Sequence, residues 1–551
     1  MISRPLAALA AALGILASAG TAATAPARPT KLDTPLQNAV TRRDEAPKRV
    51  IVRTSSGVDK MTAKLAARGH AVTGQLAFIG ALTLSMTPQQ ALALAEDDDV
   101  DGISEDVVVR SSGIVAEPSL ASAAGIQLNG GWTSATGYGV GVAIIDSGID
   151  ASTDFGTRIT AFYDFTLGRA RRVAPLDDYG HGTFVASVIG GTGRQMHSKY
   201  PGLAPRVRLI GLRVLDRTGE GLTSNVIAAV EFAVANRTAL GIDVLNLSLG
   251  HPITDPAASD PLVIAVERAI RAGLVVVVSA GNFGTDNTGQ IGYMGTTSPG
   301  NAPSAITVGA AQTFGTTSYA DDRVADFSSR GPTWQDLFAK PDVVAPGHHI
   351  ISNAGTNAYL SQNYPTLRVE GEPNGLSLSG TSVAAAVTSG AVALMLDANR
   401  AAFPGAPDMT PNQVKAILEF SAVLLRNEAG VEYDALTQGA GELNTLGAVA
   451  MAGAIAPAGS RVTSYASSPI GTYTMRGRQI NAWSQRIIWG DAYLPDSLPH
   501  DLERQQHLLV GERALGRRFS QLRVRIRRHG CGFLQHRKCR RCHLGQSDRL
   551  G

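Results

Sequence analysis

Three segments carry side chains with which a protein can attack a polar bond. Asp146 closes the apolar run Gly141-Val-Ala-Ile-Ile and is followed by Ser147 and Gly148, so its carboxylate stands where a strand stops and a loop opens. An aspartate there serves a turn or a cap as readily as it serves catalysis. His181 lies between two glycines in Asp178-Tyr-Gly-His-Gly-Thr-Phe-Val, at the start of an apolar helical stretch. Flanking glycines let the backbone bend and leave the imidazole open to a neighbour, although a lone histidine is also a common structural residue. Ser382, in Ser379-Gly-Thr-Ser-Val-Ala-Ala-Ala, falls at the first turn of a long Ala/Val helix, the favoured place for a helix-capping serine. Carboxylate, imidazole and hydroxyl are together the parts of nucleophilic catalysis by serine. Separately, each has a structural reading.

The elements around them suit such a gathering. From Gly139 to about Met451 strands and helices alternate. The runs Val142 to Ile145, Val244 to Leu247 and Leu274 to Val278 are continuously apolar, as strands covered on both faces must be. Helical stretches such as Asn225 to Ala235 and Pro261 to Ala272 lie between them. The implied fold is α/β, a mostly parallel sheet between two helix layers, which places ligands at the carboxyl ends of the strands. Upstream, a smaller βαββαβ unit is expected: strand Val50 to Val52, helix Val58 to Ala67, strands Val72 to Leu76 and Ala81 to Met86, helix Pro88 to Glu96, and a last strand near Val107 to Val109. The acidic run Glu96-Asp-Asp-Asp99 reads as a solvated helix end rather than a metal site.

In the order Asp, His, Ser, separated by 35 and 201 residues, the three segments resemble the signature motifs of the subtilisin-like serine proteases. Val275-Val-Val-Val-Ser-Ala-Gly-Asn282 is similar to that family's turn bearing the oxyanion-hole asparagine, though an asparagine is also tolerated in a left-handed turn. The likeness spans roughly residues 120 to 452, including Val244 to Gly250, Pro341 to Gly347 and Gly439 to Asn444. It implies a three-layer subtilisin-like fold and a serine endopeptidase acting on proteins or peptides. In that reading His181 is the base for Ser382, Asp146 orients the imidazole, and Asn282 with the Ser382 amide receives the oxyanion. Ser248, Leu249 and Gly250 are the expected edge for an extended substrate. Lys48 to Arg110 is similar to the family's inhibitory propeptide, a small α+β ferredoxin-like unit. It is expected to act as an intramolecular inhibitor and to be released by self-cleavage between Arg110 and Ala121. Catalysis of this kind requires no cofactor, and structural calcium is allowed by the resemblance without a ligand loop definite enough to name. Ala386 and Val387 depart from the family, which usually has Pro then His at those positions.

At roughly 150 residues per domain, 551 residues allow three to four folded units. The chain is 44% apolar and 17% charged, which excludes disorder over its whole length. The formal charge of +3 hides an asymmetry: Arg504 to Gly551 holds 13 Lys/Arg against 2 Asp/Glu, while the remainder is acidic. Nucleic-acid binding is therefore not expected of the body. Met1 to Ala25 has a signal-peptide pattern, so the product is expected outside the cytoplasm, with no later segment apolar enough to span a bilayer. The expected division is a signal peptide at 1–25, a linker at 26–46, a propeptide at 47–115, a catalytic domain at 116–455, an extension at 456–503 and a basic, disordered tail at 504–551.

The tail holds all three cysteines. Cys539-Arg-Arg-Cys542-His543 matches a haem-attachment pattern and, with Cys531 and His536, a zinc pattern, but no surrounding domain supports either. Leu522 to Arg527 alternates apolar and basic residues, as a polyanion-binding strand would. A single Trp-Gly-Asp unit ending at Asp491 precedes an abrupt change of composition, which is also what out-of-frame translation would produce. A catalytically silent binding protein on the same fold and a serine esterase are the rival functions. The usual esterase elbow and its Ser, Asp, His order are not what surrounds Ser382.

Overall fold

The computed structural model describes residues 31–112, 134–460 apart from 287 and 317, and 471–488 apart from 477 and 478. The signal-peptide pattern, the stretch from 113 onward in which cleavage is expected, Trp489 to Asp491, and the tail with Cys531, His536, Cys539, Cys542 and His543 lie outside the described residues. The chain divides into two compact units, Met1–Glu105 and Asp106–Gly551.

The smaller unit is a four-stranded antiparallel sheet in the order Val72–Leu76, Ala81–Met86, Lys48–Thr54, Val100–Glu105. Helices Val58–Ala67 and Pro88–Ala95 supply the two crossovers, the second opened by a Thr87/Gln90 capping box. Its last strand is Val100–Glu105 and not the expected 107–109 region, because Val108–Ser111 pairs within the larger unit. The linker reading of 26–46 is also corrected: Thr34–Thr41 is a helix. Asp33 caps it by accepting the Leu36 N–H, and Leu36 and Ala39 are buried. Two buried residues in eight make too weak a period to see, but Asp33 followed by Pro35 was a start signal. The acidic run is ion-paired rather than merely solvated. Asp97 faces Lys64 and Arg68, and the Lys64 hydrogen bond holds its carboxyl down to about 2.

In the larger unit seven parallel strands run in the order Ile159–Asp164, Arg208–Arg213, Gly141–Asp146, Val244–Leu247, Val275–Ser279, Ile306–Gln312, Val343–Pro346. Short antiparallel strands, Arg171–Arg172 and Arg323–Val324, pair near the two ends. Helices Thr223–Ala235 and Pro261–Arg271 pack together, and His181–Gly190, Thr381–Ala402 and Thr445–Ala454 form a second group. Both groups contact the sheet, giving a three-layer α/β fold. Every residue of Gly141–Asp146, Val244–Leu247 and Val275–Ser279 is buried, the burial that their unbroken apolar runs anticipate. Thr381–Ala402 is long and apolar enough to cross a membrane, against the expectation that no such segment follows the leader. Yet 89% of its most apolar window is buried inside the protein.

Within the expected 456–503 extension, residues 471–488 are built onto this unit. Tyr473–Arg476 and Gln479–Ala482 form a hairpin, and Trp483 is buried edge-on to Phe420. The indole N–H donates to Thr474 Oγ1 at 2.8 Å, the Ser484 N–H to the Ala422 carbonyl at 2.7 Å, and the Ile488 N–H to Glu419 Oε2 at 2.6 Å. A side chain at Gly447 would meet the indole. Trp483→Ala empties this contact and is expected to cost about 3 to 5 kcal/mol. Urea unfolding measures it; a loss well under about 1 kcal/mol would mean that the hairpin adds little to the unit.

Candidate active site

Asp146 is the last residue of its strand and fully buried, and His181 is the first residue of its helix and nearly so. The imidazole Nδ1 lies 2.8 Å from Asp146 Oδ1 and 3.0 Å from Oδ2. Glycines make the approach possible. A Cβ on Gly182 would collide with the Gly148 carbonyl, so the helix start and the loop after Asp146 touch backbone to backbone. The Gly182 N–H donates to Ser147 Oγ at 2.9 Å across that contact. Gly180, at φ +101, turns the chain into the helix and offers no side-chain cap. Asp177 does that work from outside: its carboxylate accepts the N–H groups of Tyr179, Gly180 and Thr183 and the Thr183 hydroxyl. Burial pushes the Asp177 carboxyl up, partly offset by those donors.

Electrostatics at His181 oppose one another. Burial pulls its pKa down, but the charge and hydrogen bond of Asp146, with Asp177 farther off, carry it above the ordinary 6.5. Nε2 is buried and has no hydrogen-bond partner among the described residues. In native interiors such an atom asks for a functional explanation.

Ser382 is the second residue of Thr381–Ala402, with Gly380 at the cap position. The capping reading of this serine is thus displaced. Its hydroxyl donates instead to the Ser112 carbonyl at 3.2 Å, and among the described residues no hydrogen bond joins it to His181. The helices that begin at Thr381 and His181 pack on one another. The Ser382 carbonyl accepts from Ser248 Oγ at 2.8 Å, itself held by Asn246 Nδ2, whose Oδ1 accepts from Ser389. This buried chain ties the strand edge to the start of the helix.

Asn282 follows Val275–Ser279 by three residues. Its Oδ1 accepts the Thr381 N–H at 2.9 Å and the Thr381 hydroxyl at 3.0 Å, and the same hydroxyl accepts the Gly281 N–H. Anchoring the oxygen fixes the amide's orientation and turns its nitrogen the other way. The Ser382 N–H, among the first four of its helix, has no acceptor within that helix. Thr381 is therefore a positioning residue for Asn282, and sequence reasoning missed it. Its signal was a second hydroxyl beside Ser382.

Ser248, Leu249 and Gly250, the expected substrate edge, are bonded to a segment of the chain itself. Leu249 and Gly250 pair antiparallel with Ser111 and Arg110, and the Ser112 N–H donates to the Ser248 carbonyl at 3.1 Å. A second edge closes the other side: Glu220, Gly221 and Leu222 pair antiparallel with Arg110, Val109 and Val108. Nothing but two glycines marked that edge in the sequence. Arg110 also forms an ion pair with Glu220. Upstream, Asp106 caps Thr223–Ala235 by accepting the Ser224 N–H and hydroxyl, both at 2.8 Å. Val108–Ser111 is thus held as a strand, and Ser112, just past its end, lies against Ser382.

The subtilase family (peptidase S8) model matches residues 137–448. Serine protease AprX of Bacillus subtilis (strain 168) is 39% identical over 289 residues, covering 52% of this chain and 61% of AprX. Subtilisin E of Bacillus subtilis (strain 168) is 30% identical over 364 residues, covering 65% of this chain and 80% of that protein. In fold, fervidolysin from Fervidobacterium pennivorans, described as a keratinolytic enzyme related to subtilisin, superposes with a TM-score of 0.55 at 22% identity. That superposition covers 74% of this chain and 61% of fervidolysin. The chain belongs to the subtilase family of serine endopeptidases.

Proposed function

We propose that this chain is a secreted serine endopeptidase that hydrolyses proteins or peptides through Asp146, His181 and Ser382 and releases its own propeptide. The observation that carries the proposal is the Ser382 hydroxyl lying against the Ser112 carbonyl, on a strand gripped from both sides. His181 Nε2 takes the hydroxyl proton as Oγ attacks the carbonyl carbon. The oxyanion is met by the Asn282 amide and the Ser382 N–H at a helix N-terminus, where the dipole favours negative charge. The imidazolium, stabilised by Asp146, then protonates the leaving amine, and water repeats the sequence on the acyl-enzyme. Residues 47–115 act as intramolecular inhibitor in this reading, with residues 106–112 serving as the first substrate. Export follows from the signal-peptide pattern at 1–25 and from the family's character.

Mass spectrometry of the secreted product tests this. The wild-type chain is expected to lose everything up to a point between Arg110 and Ala121, whereas Ser382→Ala keeps it and loses casein hydrolysis by at least about 10³-fold. Release of the segment by Ser382→Ala expressed alone would refute self-cleavage. Asn282→Ala is expected to lower kcat by about 10²- to 10³-fold with an unfolding midpoint near that of the wild type.

The base must be neutral to act, so activity is present above the His181 pKa and lost below it. Because that pKa is raised, the acid limb of kcat/KM against pH is expected to have its midpoint above 6.5. Asp146→Asn should move the midpoint down and cost about 10⁴-fold in kcat. A wild-type midpoint at or below 6.5 would contradict the raised value.

A further inference from the structure

Ser279 ends the strand Val275–Ser279 after four valines, and its side chain is fully buried. A hydroxyl in that position must have a reason, since burying it without a partner is unfavourable. Its partner is Ser112: the two Oγ atoms are 2.6 Å apart. Among the described residues no other hydrogen bond reaches the Ser279 hydroxyl. Ser112 is also the residue whose carbonyl faces Ser382 and whose N–H is held by Ser248. It therefore occupies the acyl side of the bond to be cut.

Thr297 lies close to both Gly250 and Gly281. A Cβ added at Gly250 would lie 2.9 Å from Thr297 Oγ1, and one added at Gly281 would lie 2.9 Å from its Cγ2. Thr297 is buried, and its N–H donates to the Ala280 carbonyl, so it is fixed in place. A buried hydroxyl within hydrogen-bond reach of the Ser112 side chain fits a side chain that is short and hydroxylated.

We infer that Ser279 is a specificity-determining residue that makes this site select peptide bonds following serine, and that the bond after Ser112 is the protein's own first substrate. This rests on the proteolytic reading above and adds the side-chain class to it. A substrate with alanine or phenylalanine in place of serine leaves the Ser279 hydroxyl without its partner, the kind of defect by which hydrogen-bonding sites reject analogues.

The test uses the secreted, processed enzyme with succinyl-Val-Arg-Ser-X 4-nitroanilides, where X is Ser, Ala or Phe. The expected kcat/KM with Ser exceeds that with Ala by about three- to tenfold, and Phe also falls below Ser. In Ser279→Ala the Ser-to-Ala ratio is expected to fall to about one. A wild-type ratio of one or less, or an unchanged ratio in Ser279→Ala, overturns the inference. Should Ser279→Ala not accumulate, the wild-type ratio and the processing of Ser112→Phe precursor decide: the new N-terminus should be Gly113 in the wild type and should appear more slowly in the variant. Ser382-dependent casein hydrolysis without serine selectivity sinks this inference alone. Absence of any Ser382-dependent hydrolysis sinks the proteolytic reading with it.

Discussion

A carboxylate and an imidazole, both sealed from water, face each other at 2.8 Å between the end of a strand and the start of a helix. Neither group could be buried so completely alone, because the desolvation of a charged or polar group must be offset by a partner. The pair therefore sets a geometric demand on everything around it. The parallel sheet supplies a rigid strand end, the helix layer delivers the imidazole, and Gly182 lacks the side chain that would strike the Gly148 carbonyl in the loop after Asp146. Asp177 fastens the helix start without occupying the space in front of His181. The same logic operates at the second helix, where Asn282 satisfies the Thr381 amide and the Ser382 hydroxyl is left to face the Ser112 carbonyl.

How far this could be read from the chain depended on the kind of signal. Continuous apolar runs reveal buried parallel strands, since no alternation is possible when both faces are covered. Asp146, His181, Ser382 and Asn282 sit in short, glycine-framed motifs, where local sequence itself shapes the turn. Residues that act only through long-range pairing left no such mark. Glu220 to Leu222 forms an edge because Val108 to Arg110 lies beside it, and nothing within three residues can announce a partner over a hundred positions away. The same reasoning explains the misplaced last strand of the small unit: both 100–105 and 107–109 have strand composition, and only tertiary pairing decides between them. The hairpin at 473–482 was hidden for a different reason. Its strands bury little, and one indole after the second strand does the anchoring.

Ala386 and Val387, the residues at which the chain departs from its relatives' usual Pro and His, are buried inside an unbroken helix. Alanine and valine preserve every backbone N–H of that helix, and neither removes a group from the neighbourhood of Ser382. Both positions lie in the helix interior, four and five residues past Ser382.

The cleft between Glu220–Leu222 and Leu249–Gly250 is one strand wide, with backbone donors and acceptors on both banks. Neighbouring strands in a sheet lie about 4.8 Å apart, so only a fully stretched polypeptide fits there. A helix, about 10 Å across with its side chains, is refused entry by its width alone. For the endopeptidase proposed above, a folded substrate would be shielded by its own secondary structure, and cleavage would fall on loops and frayed ends that straighten for several residues at a time.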